Sequence, residues 1–388
     1  MKKKIFILFI LLELFIFAFT TISFAEENVS QDEIMETQKS LLDISGFLEE
    51  AEKYTKNTFE DLELGDLFNS AITGNIDNTT IIKSILNLLG KEILDSVTVL
   101  GSIIVIIVIH SILKSISEGL ENKSISQITY YVQYILIVTL IMSNFADVLD
   151  MVRTSIQDLV GFMNNLIPIL ITLMLTTGNI VSANLLQPII LFIITFIGNF
   201  ITAIIIPFVL VSTALGIVSN ISDRIQINKL AKFFNSTVIW ILGIVLTLFV
   251  GIVSVEGSMS STVDGVTAKT AKAAVSTFIP VVGKILGDAV DTVIGCSSIL
   301  KNAVGIVGVI VIVAICVLPI IKLAFLMFLY YLGAAVCEPI ADGKIIKLLE
   351  QIGDTFKILL AIMCSISVML IIGTTLVIKI SNSGLMYR

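Results

Sequence analysis

Apolar residues along this 388-residue chain gather into runs long enough to cross a bilayer, separated by short linkers that carry Lys and Arg. The clear runs are 93–113, 128–145, 159–177, 185–219, 236–255, 303–337 and 358–378. A full crossing needs about 20 largely apolar residues in a helix. Runs 185–219 and 303–337 exceed one crossing but fall short of two with a turn, and each carries a proline mid-run, Pro207 and Pro319. Each is expected to be one long helix, kinked or tilted. The pattern predicts an all-α polytopic membrane protein with about six transmembrane helices in three hairpins, plus amphipathic or re-entrant elements and an acidic extracytoplasmic amino-terminal segment.

The number six follows from charge and from an internal repeat. With the amino-terminal part outside, runs 93–113 and 128–145 enclose a cytoplasmic linker with Lys114 and Lys123. If 159–177 and 185–219 both crossed next, the linker with Arg224, Lys229 and Lys232 would lie outside, against the preference of basic residues for the cytoplasmic side. One run must then not cross. Leu166-Ile167-Pro168 is followed 39 residues after its proline by Pro207, and Phe278-Ile279-Pro280 by Pro319 at the same interval, an offset of 112 throughout. In the second copy the matching segment, 271–292, is amphipathic: Val282, Ile285, Leu286, Ala289, Val290, Val293 and Ile294 form one face, and Lys284, Asp288 and Asp291 mark the other. By analogy 159–177, interrupted by Asn164, Asn165 and Pro168, is expected to be interfacial or re-entrant. The cytoplasmic linkers then fall near 114–127, 220–235 and 338–357.

The beginning of the chain adds a leader and an acidic segment. Lys2, Lys3 and Lys4 precede an apolar stretch from Ile5 to Phe19, and Ser23-Phe24-Ala25 has small residues at the two positions a signal peptidase reads. Cleavage after Ala25 is expected; Glu13 within a short apolar core leaves an uncleaved anchor as the alternative. Residues 26–95 hold 16 of the 31 acids and only 5 bases, so the net charge of −7 conceals a strongly acidic segment followed by a slightly basic remainder. Within it, Leu41, Leu42, Ile44, Phe47 and Leu48, then Phe59, Leu62, Leu64, Leu67 and Phe68, recur at helical spacing and predict one or two amphipathic helices. Hydrophobic residues at 56% against 14% charged agree with a membrane protein, and nothing suggests nucleic acid binding. The chain divides into a signal peptide (1–25), an acidic extracytoplasmic segment (26–92), a first hairpin (93–150), a repeat unit with a re-entrant or interfacial element and hairpin (159–255), a Gly/Ala/Thr-rich extracytoplasmic amphipathic segment (256–302) and a third hairpin (303–380).

Candidate chemistry is sparse. Cys296, Cys316, Cys337 and Cys364 have no metal-ligand spacing and read as packing residues. His110, near the cytoplasmic end of an Ile/Val run, lacks an acid or nucleophile beside it. No catalytic, cofactor or metal site is identified, and the chain reads as a non-enzyme. Pro168, Pro207, Pro280 and Pro319 are candidate helix breaks. At membrane depth such breaks can build a substrate path, or they can be simply tolerated kinks. Lys322, midway along its run, would cost at least ~2.5 kcal/mol if uncompensated; it lines a polar path, pairs with a carboxylate or snorkels to the surface. Gly283 and Gly287, four residues apart, are candidate helix-contact positions.

The glycine-, alanine- and threonine-rich run from Glu256 to Asp291, closed by Gly295, joins the leader, the acidic segment and the polytopic remainder in a layout that resembles the stage III sporulation protein AE family of endospore-forming bacteria. The resemblance covers essentially the whole chain. It implies a multi-pass protein of the mother-cell membrane surrounding the forespore, working with other products of its sporulation operon, among them a secretion-type ATPase and ring-forming proteins. Together with a forespore membrane partner these would form a channel or feeding complex across two membranes. It implies no catalytic or ligand residues and no cofactor. On that reading Arg224, Lys229, Lys232, Lys344 and Lys347 are candidate cytoplasmic docking residues, although the same bases also serve to fix topology. Self-association and contact with membrane lipid are further expectations. Two other readings stand beside it: a self-contained secondary transporter of a small solute, suggested by the repeat and its prolines, and a membrane scaffold that conducts nothing.

Overall fold

A computed structural model describes residues 31–56, 63–74, 123–221, 227–278 and 282–386, together with short pieces between 82 and 112. The leader, His110, Arg224 and Pro280 lie outside the described residues, as do parts of the first expected span, 93–113. Among the described residues every regular element is helical. Three short helices come first: α1 (Gln31–Leu41), α2 (Ile44–Thr55) and α3 (Leu64–Thr73). Long ones follow: α4 (Lys123–Thr176), α5 (Ile180–Phe200) running through a π turn (Ile201–Ile205) into α6 (Ile206–Ile221), α7 (Asn228–Phe278), α8 (Val282–Cys337) and α9 (Gly343–Met386). Five helices among the described residues are long and apolar enough to cross a membrane, so the all-α polytopic class holds.

Short turns force the long helices to run antiparallel in chain order. One end of the bundle gathers residue 123, the end of α6 with the start of α7, and the 337–343 turn; the other gathers the 176–180 turn and the end of α7 with the start of α8. At the first end the Tyr130 hydroxyl donates to the Asn220 carbonyl (3.1 Å), the Tyr134 hydroxyl to that of Ile217 (2.7 Å), and the Lys344 ammonium lies 5.6 Å from the Tyr130 ring centre. At the second end Gly178 adopts φ 80, a left-handed conformation that glycine tolerates, and so lets α4 turn into α5 within three residues.

Runs 128–145 and 159–177 are one 54-residue helix rather than two elements. This corrects the re-entrant reading of 159–177. Val148, Leu149, Val152, Ile156 and Leu159 continue one buried face across the polar stretch, so packing holds the helix where charge suggested a break. Pro168 withholds a single N–H and sits inside the helix without ending it. With α4 crossing once, the conflict over basic linkers disappears. The boundaries drawn from composition at 150, 255 and 302 likewise fall inside continuous helices, because composition reports what surrounds a helix as much as where it ends.

Side-chain contacts set the heights of the helices. Ile378 fills the space beside Gly305, and Phe249 lies against Gly373. These contacts bring the charge-poor stretches of α7 (233–255), α8 (302–321) and α9 (358–378) into lateral register. At ~1.5 Å per residue each is about 30 Å long, the thickness of one hydrocarbon core. The expectation of one long kinked helix for 185–219 is met by α5 and α6, with the Ile206 N–H reaching back to the Ile201 carbonyl just before Pro207. Pro207, six residues distal to the Thr213–Thr355 contact, and Pro319, fourteen residues from Gly305, lie within about one helical turn of the same height (~5 Å).

By the charge rule the end carrying Lys229, Lys232, Lys344 and Lys347 is expected in the cytoplasm. Asn184→Cys, exposed near the distal turn, is expected to react with a membrane-impermeant thiol reagent in intact cells, and Lys229→Cys only after the cytoplasm is opened. The reverse pattern inverts the topology.

Candidate functional site

Three features stand out beyond simple packing: a buried polar seam at the basic end, an acidic cap at the distal end and a polar stripe between them.

The seam joins α6 to α9. Asn220 donates from Nδ2 to Oε1 of Gln351 (3.0 Å), the hydroxyls of Thr213 and Thr355 meet at 3.1 Å, and the Ser212 hydroxyl donates to the Ala231 carbonyl of α7 (2.8 Å). The Gln351 amide occupies the space that a side chain at position 216 would need, so glycine there is what lets the two helices close on their hydrogen bonds. Exposed Lys229, Lys232 and Lys347 surround this end, and Lys344 is held against Tyr130. The Tyr130 and Tyr134 rings lie 5.8 Å apart.

The cap consists of α1, α2 and α3, one helix more than the pattern predicted. Asp43 (φ 47) turns α1 into α2 and accepts from the Gly46 N–H at 3.2 Å, while Gly74 (φ 78) closes α3. Ile44, Phe47, Ala51, Leu64, Leu67 and Phe68 form the buried face. Phe47 and Tyr54 straddle Phe162 of α4 at 6.0 and 5.9 Å between ring centres, and Asn165 donates to the Glu50 carboxylate at 2.8 Å. Burial, then the negative charges of Glu50 and Asp158, push the Tyr54 phenol above its ordinary value. Gln38 ties α1 to Ser297 of α8 (2.9 Å). Glu49, Glu50, Glu52 and Lys53 remain exposed.

The stripe runs along α4. Asp147, Asp150, Thr154, Gln157 and Asn164 are exposed at helical spacing, with Arg153, Asp158 and Asn165 half-buried beside them. Phe145 faces Phe356 at 6.0 Å and Thr374 faces Met163 at 3.8 Å, so the stripe passes through the height of the 358–378 segment of α9.

A model of the family described as stage III sporulation protein AE matches residues 62–381. The chain belongs to the stage III sporulation protein AE family. Stage III sporulation protein AE of Bacillus subtilis (strain 168) is 32% identical over 307 residues, covering 79% of this chain and 77% of that relative. No solved structure matches. This member of the family is a multi-pass sporulation membrane protein.

The structure separates the residues singled out from sequence. Pro168 is half-buried in α4, with the Thr172 hydroxyl donating to its carbonyl (2.8 Å); Pro207 follows the π turn; Pro319 is buried within an uninterrupted α8. They form no common break. Lys322 is half-buried at the cytoplasmic edge of the layer on α8. Gly283 and Gly287 begin α8, where side chains lie outside the described residues. Sequence reasoning missed Lys301, which is fully buried at the opposite edge of the same apolar stretch; the only signal was that Lys301 and Lys322 bracket it. It also missed the seam, whose Ser, Thr, Asn and Gln residues are unremarkable until two helices bring them together. Among the described residues, no three or more His, Cys, Asp and Glu side chains are grouped to hold a metal ion.

Gly216→Leu is expected to displace Gln351 and lower the melting temperature of the solubilised protein, and adding Gln351→Ala restores part of the loss. Phe162→Ala removes the ring on which the cap rests and is expected to cost ~3–5 kcal/mol of docking; limited proteolysis would then cut between α1 and α3 faster, with the long helices intact.

Proposed function

We propose that this protein is the membrane-embedded subunit of a sporulation-specific, secretion-like channel complex that links mother cell and forespore and is required for forespore development. The observation that carries the reading is the polarity of the bundle. Exposed Lys229, Lys232 and Lys347 stand beside exposed Glu338, Glu350 and Asp354 at one end, whereas the cap near the other is acidic, with exposed Glu49, Glu50 and Glu52. A cytoplasmic secretion-type ATPase would meet the first end in the mother cell, and ring-forming proteins of the same operon would assemble against the second, between the two membranes. The family membership supports a sporulation role and, indirectly, a non-enzymatic subunit.

A secondary transporter is the second reading. It is favoured by the matched heights of Pro207 and Pro319 in two successive hairpins, α5/α6 with α7 and α8 with α9, and by the π turn beside Pro207.

Affinity purification of the tagged protein from mildly solubilised membranes of sporulating cells, followed by mass spectrometry, tests the first reading. Recovery of an ATPase and ring-forming proteins is expected, with Lys229→Glu plus Lys232→Glu selectively losing the ATPase. A protein recovered alone that moves a solute in vesicles of its own would establish the transporter instead.

A further inference from the structure

On the side of the bundle formed by α5 and α7 the surface within the charge-poor layer is apolar. α7 exposes Trp240, Ile244 and Leu248, and α5 exposes Phe192 and Phe196, whose rings stack at 5.9 Å. One side chain on α5 interrupts this surface. Asn199 is exposed on the same face as the two rings, three residues beyond Phe196 and seven beyond Phe192. Packing fixes its depth: the adjacent Gly198 lies against Val160 of α4, and Met163, three residues further along α4, meets Thr374 of α9 at 3.8 Å. Asn199 therefore stands at least ~10 Å inside both ends of the 358–378 stretch of α9. Threonine hydroxyls on α7 are satisfied by their own helix, Thr237 donating to the Phe233 carbonyl and Thr247 to that of Gly243, each at 2.8 Å. On α5 the Thr202 hydroxyl donates to the carbonyls of Gly198 (3.0 Å) and Asn199 (3.1 Å), so the backbone entering the π turn is satisfied as well. The side-chain amide of Asn199 is what remains: among the described residues none is hydrogen-bonded to it.

Acyl chains leave both the donor and the acceptor of that amide unmet, whereas a polar side chain on a neighbouring transmembrane helix meets them. We propose that the outer face of α5 is where a second copy of this chain docks within the membrane, with Asn199 paired to its counterpart across a two-fold axis normal to the bilayer. Two features select a second copy over a different protein. Copies inserted in the same orientation hold their Asn199 side chains at one depth without any further adjustment, while another protein would need its own polar group at that depth. An amide also donates and accepts at once, so two identical residues related by a two-fold axis satisfy each other reciprocally. The Phe192 and Phe196 rings beside the axis supply large, rigid packing surface. This contact stands independently of an ATPase, of ring-forming proteins and of any solute.

Full-length protein made alone in a host that does not sporulate tests it. Phe196→Cys, one turn from Asn199, is expected to form a disulfide-linked dimer in membranes treated with copper phenanthroline and oxygen. Leu248→Cys, at a comparable height on α7, is expected to stay unlinked. The four native cysteines are free and three are buried, so the unsubstituted protein supplies the background. In phosphatidylcholine vesicles, energy transfer between donor- and acceptor-labelled copies should report an association constant that Asn199→Leu lowers on the order of tenfold. Asn199→Gln, which keeps a donor and an acceptor, should retain most of it. Leucine suits a lipid-facing position, so the melting temperature of the solubilised Asn199→Leu protein is expected to match that of the unsubstituted one. Absence of self-association in the vesicles overturns the proposal. So does an association constant that Asn199→Leu leaves unchanged, because the contact then lies elsewhere, and so does an Asn199→Leu defect confined to recovery of a different membrane protein. None of these results bears on whether the ATPase co-purifies.

Discussion

Lateral register of three charge-poor stretches, 233–255 on α7, 302–321 on α8 and 358–378 on α9, is the constraint on which the rest of the structure depends. Each is about one hydrocarbon thickness long. Charged residues end them at both sides: Lys232 and Glu256, Lys301 and Lys322, Lys357 and Lys379. Sliding any helix by two turns would drag a charge into the layer, so the bilayer itself selects the register. Ile378 beside Gly305 and Phe249 against Gly373 then lock it by close packing.

Once the layer is defined, the excess helix length has to project from it. On the cytoplasmic side the projections of α6 and α9 are joined by hydrogen bonds instead of apolar contact alone, with Asn220, Gln351, Thr213 and Thr355 paired across the interface. Buried amide and hydroxyl groups of this kind favour one pairing over a slipped one, because a slipped register leaves them unsatisfied. On the distal side the cap covers α4 and α8 with aromatic contacts to Phe162 and a hydrogen bond to Ser297. The two ends therefore differ: one carries lysines among carboxylates, and the other lies near an acidic cap.

Two successive helix pairs, α5/α6 with α7 and α8 with α9, follow one another along the chain. In sequence the Pro168/Pro207 and Pro280/Pro319 pairs stand 112 residues apart, but Pro168 lies inside α4 and Pro280 lies outside the described residues. Pro207 and Pro319 occupy equivalent heights, yet a π turn precedes only Pro207. α8 runs as one α-helix through Pro319.

Much of this was legible in the residues alone. Runs of about 20 apolar residues have no stable place but a membrane, and Lys-bearing linkers at 220–235 and 338–357 mark which ends lie together, so the all-α polytopic class is written in local composition. The acidic helices at 41–68 were legible from period, since Ile44, Phe47, Leu64 and Phe68 mark one face each. What the chain could not announce was continuity and partnership. The charges at 147–158 look like a loop in one dimension; only packing of Val148, Val152 and Ile156 against neighbouring helices keeps α4 whole and turns those charges into an outward stripe. Gly216, Gln351 and Asn220 are distant in sequence, and their meeting is a property of helix register. Local pattern determines what each segment prefers to touch, whereas the tertiary structure decides which segments are there to be touched.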